Sequence, residues 1–277
     1  MVKFKFSKVS LYIGLTLLAL LSVLPFLIMF VNATRSTVEI QQRALSFMPS
    51  RYVFDNWRHL MVGSFDPFVG LRNSAIISIG ATLLSVYFSS LTAYAIVAYD
   101  WKFKKTFFAL VMTILMIPGT VGVIGFFQFV WQMGLNNSFI PLIIPAIASP
   151  GVVFFMRQYL QATLSLEMVE AARIDGSGEF ATFNKIVLPI MKPAVATQAI
   201  FIMVGTWNQL FLPLVLLQRQ DLWTMPIMVS QLQGNIYRTE LGAVWLGLSI
   251  TVLPLFIVYA FLSKYIIAGV ALGGVKE

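Results

Sequence analysis

Apolar residues fill five long stretches that contain no Asp, Glu, Lys or Arg: residues 9–34, 73–99, 106–156, 193–218 and 241–263. A helix crossing the hydrocarbon of a bilayer needs about 20 apolar residues at about 1.5 Å rise each. Four stretches hold one such helix. The 51-residue stretch 106–156 holds two, divided at the polar turn Gly134-Leu135-Asn136-Asn137. The pattern therefore predicts six spans, near residues 11–31, 75–98, 107–131, 139–159, 194–217 and 243–265. The runs lack the strict alternation of barrel strands and are too long for them. The expected class is an all-α membrane protein whose 277 residues form a single transmembrane domain.

Charge sets the orientation. With the N-terminus inside, the inside segments carry Lys3, Lys5, Lys8, Lys102, Lys104, Lys105, Arg157, Arg173, Lys185, Lys192, Lys264 and Lys276. The outside loops keep Arg35, Arg43, Arg51, Arg58, Arg72, Arg219 and Arg238. All ten lysines fall inside, which predicts N-in, C-in. This bias also accounts for the net charge of +8 without a nucleic-acid partner. The 58% hydrophobic content excludes an ordinary soluble domain, a disordered chain and a disulfide scaffold. The first apolar run is longer than a signal-peptide core and is expected to stay as an anchor. Cysteine is absent, the single histidine is His59, and the dipeptide Gly-Lys does not occur. Thiol chemistry and a Walker A phosphate loop are thereby excluded from the chain, and a lone histidine in an outside loop argues against a histidine-based metal centre.

No charged residue lies deep in a span, which argues against an ion-coupled carrier. Neutral polar side chains take that place. Ser89 and Tyr94 in the second span, and Gln198, Trp207 and Asn208 in the fifth, are candidates for the path of an uncharged, hydroxyl-rich solute. Helix–helix hydrogen bonding is the competing role for each of them. Pro25, Pro118-Gly119, Pro141, Pro145, Pro150-Gly151, Pro213 and Pro254 fall within the expected spans, where they either kink the helices around a gated cavity or serve static packing.

The inside loop 160–192 is the richest segment; Arg157 to Lys192 hold eight charges, balanced in sign. Two short helices are expected here. Ser165 would cap the first, with Glu167 in its positive first turn. Gly176 would stop it in the left-handed conformation. Ser177 would cap the second, with Phe180, Phe183 and Val187 on one stripe and Pro189 limiting its end. Such an elbow, with Glu170 offered beside the small residues Ala171 and Ala172, is suited to receive a push from a soluble partner.

Within this loop Glu170-Ala171-Ala172, Gly176, Ile186 and Leu188-Pro189 occupy all seven fixed positions of the EAA motif, without a gap. The loop thus resembles that of the membrane subunits of bacterial ABC importers. The six spans, Trp207-Asn208 and the ending Gly273-Gly274-Val275-Lys276-Glu277 resemble the smaller, maltose-type permeases of carbohydrate importers. That family usually ends in Gly-Gly-Val-Lys-Gly, and the last residue here differs. The resemblance implies the type I ABC importer permease fold with a cytoplasmic coupling helix, in a bacterial cell membrane. It implies a second, homologous permease, two cytoplasmic ATPase subunits that hold ATP and Mg, and an extracellular solute-binding protein. The chain itself would be no enzyme and would bind no cofactor. Coupling to the ATPases carries over to Glu170, Ala171, Ala172, Asp175, Gly176 and Pro189, and the tail contact to Gly273, Gly274 and Lys276. Gln231, Gln233 and Asn235, in the polar outside loop after the fifth span, are candidates to meet the binding protein. In the first outside loop, Asp55 or Asn56 is expected to cap a short surface helix. The alternative to an importer subunit is a stand-alone secondary transporter or channel for a neutral polar solute.

Overall fold

The computed structural model describes residues 8–62, 65–232 and 240–274, and the described residues contain helices and no strand. In chain order the helices are α1 (Lys8–Asn32), α2 (Thr37–Gln42), α3 (Val53–Met61), α4 (Pro67–Ala98), α5 (Lys104–Leu115), α6 (Val123–Gln132) and α7 (Ile140–Ile143). They continue as α8 (Pro150–Thr163), α9 (Leu166–Ile174), α10 (Glu179–Thr182), α11 (Leu188–Ile190), α12 (Lys192–Trp207), α13 (Phe211–Leu216), α14 (Met225–Leu232) and α15 (Leu241–Gly274). The chain divides into two compact units: residues 1–67 with 228–253, and residues 68–227 with 254–277.

Among the described residues four helical stretches are long and apolar enough to cross a membrane: Lys8–Asn32, Pro67–Ala98, Ile140–Thr163 and Leu241–Phe261. The run Glu179–Ile190 followed by Lys192–Trp207, bent by 80°, would make a fifth. The stretch expected as one rod at 107–131 is two helices, α5 and α6. Between them Met116 and Ile117 close tight turns onto the Thr113 and Ile114 carbonyls, and a 3-10 turn spans Gly119–Gly122. Pro118 explains the break, because it has no N–H to continue the α5 ladder. The stretch 139–159 likewise begins with α7 and a 3-10 turn at Ile144–Ile147 before α8 starts at Pro150. The fifth stretch is α12 and α13, parted at Asn208–Leu210.

In the first unit, α1 is exposed along its length from Lys8 to Leu27, as befits a helix whose solvent is lipid. Polar groups knit the segment after it. The buried Arg35 donates to Asn32 Oδ1 at 3.1 Å and to the Arg43 and Glu39 carbonyls at 2.6 and 2.7 Å. Ser36 and Glu39 form a reciprocal capping box at the start of α2. Asn56 corrects a sequence expectation. Helix α3 starts at Val53 after Tyr52, so neither Asp55 nor Asn56 caps it. Asn56 is instead buried, and its amide donates to the Ala33 and Arg35 carbonyls, both at 2.9 Å. Those carbonyls lie past the end of α1 and have no helical partner, so a buried amide is what satisfies them.

In the second unit, α4 is a 32-residue helix without interruption. Ser74, Ser78, Thr82, Ser85 and Ser89 recur at intervals of three and four, share one face, and are all buried. Small hydroxyl residues allow close helix approach in lipid and bond the backbone a turn earlier. Ser85 reaches Ser149 at 2.8 Å, and Ser78 bonds the Ser74 carbonyl at 2.6 Å. A core of Tyr94, Met156, Leu160, Val169, Phe183, Val187 and Met191 packs around the C-terminal half of α4. The turn at 134–137 forms as its polarity predicts. Gly134 (φ +67°) and Asn137 (φ +55°) both take the left-handed region. Asn137 also pins a distant segment: its Oδ1 accepts from the backbone N–H of Gln218 (2.7 Å) and Arg219 (3.1 Å).

Candidate functional site

Helix α9 begins after Ser165, at the expected place, but the Ser165 side chain makes no capping bond. Val169 and Ala172 form its buried face. The rest of its surface is exposed and carries Leu166, Met168, Glu170, Ala171 and Ile174, with Ile174 at 86% of its full area. No side chain among the described residues holds Glu170. The helix ends in a Schellman motif: Ser177 N–H bonds the Ala172 carbonyl at 2.9 Å and Gly176 N–H that of Arg173 at 3.0 Å. Gly176 has φ +77°, the conformation that glycine alone adopts without penalty. Asp175, the preceding residue, is the exposed C-cap.

Three details of the second half differ from the sequence expectation. Gly178 caps α10, and Ser177 instead accepts from the Thr182 hydroxyl at 2.9 Å. Phe180 is 65% exposed, while Thr182, Phe183 and Val187 are buried. Phe180 lies in the single turn of α10, and Phe183 opens a π-helical turn, Phe183–Val187. In that turn Leu188 N–H bonds Phe183, five residues back. The wider turn also lets Pro189 sit inside α11 rather than end the run; its missing N–H and bulky ring are accommodated where the regular ladder is already broken. Pro189 is exposed, and the helix axis bends at Met191 before α12.

The elbow is joined to α4 by a charged junction that the motif did not announce. Arg173, on α9, donates to Glu179 through Nε (2.6 Å to Oε1) and through a terminal nitrogen (3.3 Å to Oε2). The Tyr94 hydroxyl donates to the same Oε2 at 3.3 Å, and Tyr99 makes a short hydrogen bond to it. The Arg173 guanidinium also lies over the Tyr99 ring, 5.2 Å from its centroid. Farther along, Tyr87 donates to Asn184 Oδ1 at 3.1 Å, and Asn184 donates to the Phe180 carbonyl. The Arg173 hydrogen bonds, and then that of Tyr99, hold the Glu179 carboxyl below the usual carboxylate range. The Arg173 guanidinium is raised chiefly by its bond to Glu179. Burial, and then the Glu179 carboxylate, push the Tyr99 hydroxyl up. The one available sequence signal was the opposite-charge pair Arg173 and Glu179 on either side of a glycine turn; the tyrosines are 80 or more positions away.

The other predicted residues fall as follows. Ser89 is fully buried and its hydroxyl has no partner among the described residues. Gln198 is half-buried on α12, Trp207 is its buried last residue, and Asn208 is the exposed C-cap. Tyr94 is buried and bonded to Glu179, which places it in the elbow junction. The interrupted stretches around α5–α6, α7–α8 and α12–α13 surround a cavity of about 940 Å³, lined among others by Gly119, Gly122, Pro145, Gln209 and Phe211. Gln231 is exposed on α14. Gln233 and Asn235 lie outside the described residues, as does Lys276. Gly273 and Gly274 close α15, so the helix runs on through residues expected as a tail.

Residues 85–271 match the family described as binding-protein-dependent transport system inner membrane component. The arabinooligosaccharides transport system permease protein of Halalkalibacterium halodurans is 37% identical, over 95% of this chain and 95% of its own length. The lactose transport system permease protein of Rhizobium radiobacter is 31% identical, over 96% of this chain and 95% of its own. Among solved structures, a bacterial ABC transporter involved in import of the acidic polysaccharide alginate superposes with a TM-score of 0.79 at 20% identity. That superposition covers 94% of this chain and 96% of the other.

Proposed function

The chain belongs to the family of binding-protein-dependent transport system inner membrane components, and on that premise we propose that it is a permease subunit of an ABC importer for an oligosaccharide or disaccharide delivered by an extracellular solute-binding protein. The observation that carries the reading is the exposed face of α9. Outside the lipid-facing stretches, internal packing gives no reason to display Leu166, Met168 and Ile174 of α9, with Phe180 of α10, around an unheld carboxylate at Glu170. A partner that covers them supplies the reason. On this reading all 277 residues serve as one permease domain with six spans, N-in and C-in, in a bacterial plasma membrane. A second homologous permease completes the pathway, and two cytoplasmic ATPase subunits carry ATP and Mg. Glu170, Ala171, Ala172, Asp175 and Gly176 meet the ATPases. Pro189 bends the chain from elbow to span, and Gly273, Gly274 and Lys276 make the tail contact. Gln231, Gln233 and Asn235 meet the binding protein.

Solute class rests on the names of the relatives, two of which carry arabinooligosaccharides and lactose. Neutral groups suit it: Ser89, Gln198, Trp207 and Asn208 offer donors, acceptors and an aromatic face without a charge to desolvate. The test is purification of the chain with its native partners, followed by reconstitution in liposomes. ATP-driven uptake of labelled arabino-oligosaccharide or lactose, dependent on the binding protein, is expected. Absence of an ATPase and a second permease from the purified complex would overturn the reading. So would gradient-driven uptake by this chain alone.

A further inference from the structure

We infer that Glu179 is the positioning residue that fastens the coupling elbow to α4, and that α4 carries displacement of the elbow to the loop 218–225 at its other end. The inference rests on the proposed role as an importer subunit, and concerns how a push at α9 travels.

Three observations support it. First, the carboxylate of Glu179 gathers bonds from two directions: Arg173 of α9 on one side, Tyr94 and Tyr99 at the C-terminal end of α4 on the other. The Arg173–Glu179 pair is partly exposed and screened by solvent, so the tie rests on the number of bonds that converge on one carboxylate. Arg173, seated on the Tyr99 ring, closes the set, so α9 cannot shift away from α4 without breaking several bonds at once. Second, α4 runs unbroken for 32 residues, about 48 Å at 1.5 Å per residue. The three apolar stretches after it are interrupted at Met116–Gly122, Ala148–Ser149 and Asn208–Leu210. An interrupted helix absorbs displacement at its break, whereas a continuous one passes it on. Third, the N-terminal end of α4 is bonded to a distant loop. Asn73 donates to the Asp221 and Trp223 carbonyls at 2.9 and 3.0 Å, and Ser74 Oγ accepts from Met225 N–H at 2.9 Å. Asn73 and Ser74 are buried. Both ends of one stiff element are thus tied by specific bonds, one to the elbow and one to the loop after the fifth apolar stretch. Such an element conveys a change only if both ties hold.

The experiment uses the complex purified from native membranes, with a single cysteine spin label at the exposed Gln220. Trapping the ATPases with ADP and vanadate is expected to change the label's mobility in the otherwise unaltered complex. In E179Q, which keeps an acceptor for the tyrosines but loses the charge bonded by Arg173, that change is expected to fall about tenfold or vanish. Basal ATPase activity is expected to remain. Y99F, which keeps the ring under Arg173 and removes one hydroxyl, should give a partial loss, and N73A should abolish the change from the other end. Recovery of both ATPase subunits with each variant checks that it has folded and assembled. An assembled, ATPase-active E179Q complex with an undiminished label response would overturn the inference. An unaltered complex that hydrolyses ATP yet shows no response would do the same. A purified complex with no ATPase would overturn the proposed function on which the inference rests.

Discussion

Replacing Gly176 by alanine isolates a single physical quantity. A Cβ built on Gly176 meets nothing within 4 Å, so no neighbour resists it. What resists is the backbone, held at φ +77° by the two bonds of the Schellman motif. A non-glycine residue in the left-handed region costs about 1–2 kcal/mol. Gly178, two residues on, is the control. Its Cβ would also meet open space, but its φ of −68° and ψ of 151° suit any residue. Serine there gains an N-cap side chain and loses unfolded-state freedom, so G178S should be neutral or slightly stabilising. The assay is amide hydrogen exchange by mass spectrometry on peptides covering Leu166–Gly178, in the assembled complex. The amides of Gly176 and Ser177 report directly on the two capping bonds. A loss of 1–2 kcal/mol raises the open population, and hence the exchange rate, by about 5- to 30-fold. Asparagine, which tolerates the left-handed region, should fall between glycine and alanine. Equal exchange in G176A and G178S would refute the reasoning, since the added Cβ meets open space at both sites and only Gly176 holds a left-handed backbone.

Other consequences can be checked singly. E170K should leave membrane insertion and α9 intact, because Glu170 is exposed and unheld, yet sharply reduce uptake per ATP hydrolysed; unchanged uptake would count against the elbow as the ATPase contact. G242A should lower the melting temperature of the detergent-solubilised protein. Its Cβ would overlap the Arg35 carbonyl and the Asn56 amide, a backbone and a committed hydrogen-bonding group, at a cost of about 1–3 kcal/mol. G247A, whose Cβ meets the flexible end of Leu232 at 3.2 Å, should melt nearer the parent. The stability difference between the parent and E179Q should depend on pH. Because the folded Glu179 carboxyl lies below its ordinary value of 4.5, its contribution is full above that value. It is lost as pH falls through the folded value. A difference that grew on acidification would contradict the junction.

Much of the candidate site was legible because its residues are close in sequence and their chemistry is local. The boundary after Ser165 and the stop at Gly176 follow from cap preferences and glycine's freedom, and α9 keeps both. The second half of the loop was less legible. Its cap moved from Ser177 to Gly178, the stripe omitted Phe180, and a π-turn at Phe183–Val187 replaced the regular helical period beyond them. The breaks in the apolar stretches had a signal in Pro118 and Pro150, though a proline alone does not say whether a helix stops or runs on, as α1 and α15 do through Pro25 and Pro254. Asn56 read as a surface cap because asparagine is common there; burial beneath two unpaired carbonyls overrode that preference.

Apolar runs and the spacing of charge were enough to determine the helical class and the apolar stretches. Transfer of side chains from water is paid residue by residue and needs no knowledge of the fold. Which groups meet across the chain was another matter. Tyr94 and Tyr99 reach Glu179 over 80 positions or more, Asn73 reaches Trp223 over 150, and Asn137 holds Gln218 over 81. Hydrogen bonds of that kind depend on distances of about 3 Å and on direction, and only the packing of helices sets these. The tertiary structure therefore decided that α4, which read as one more apolar span, is bonded at both ends and is the continuous element between them.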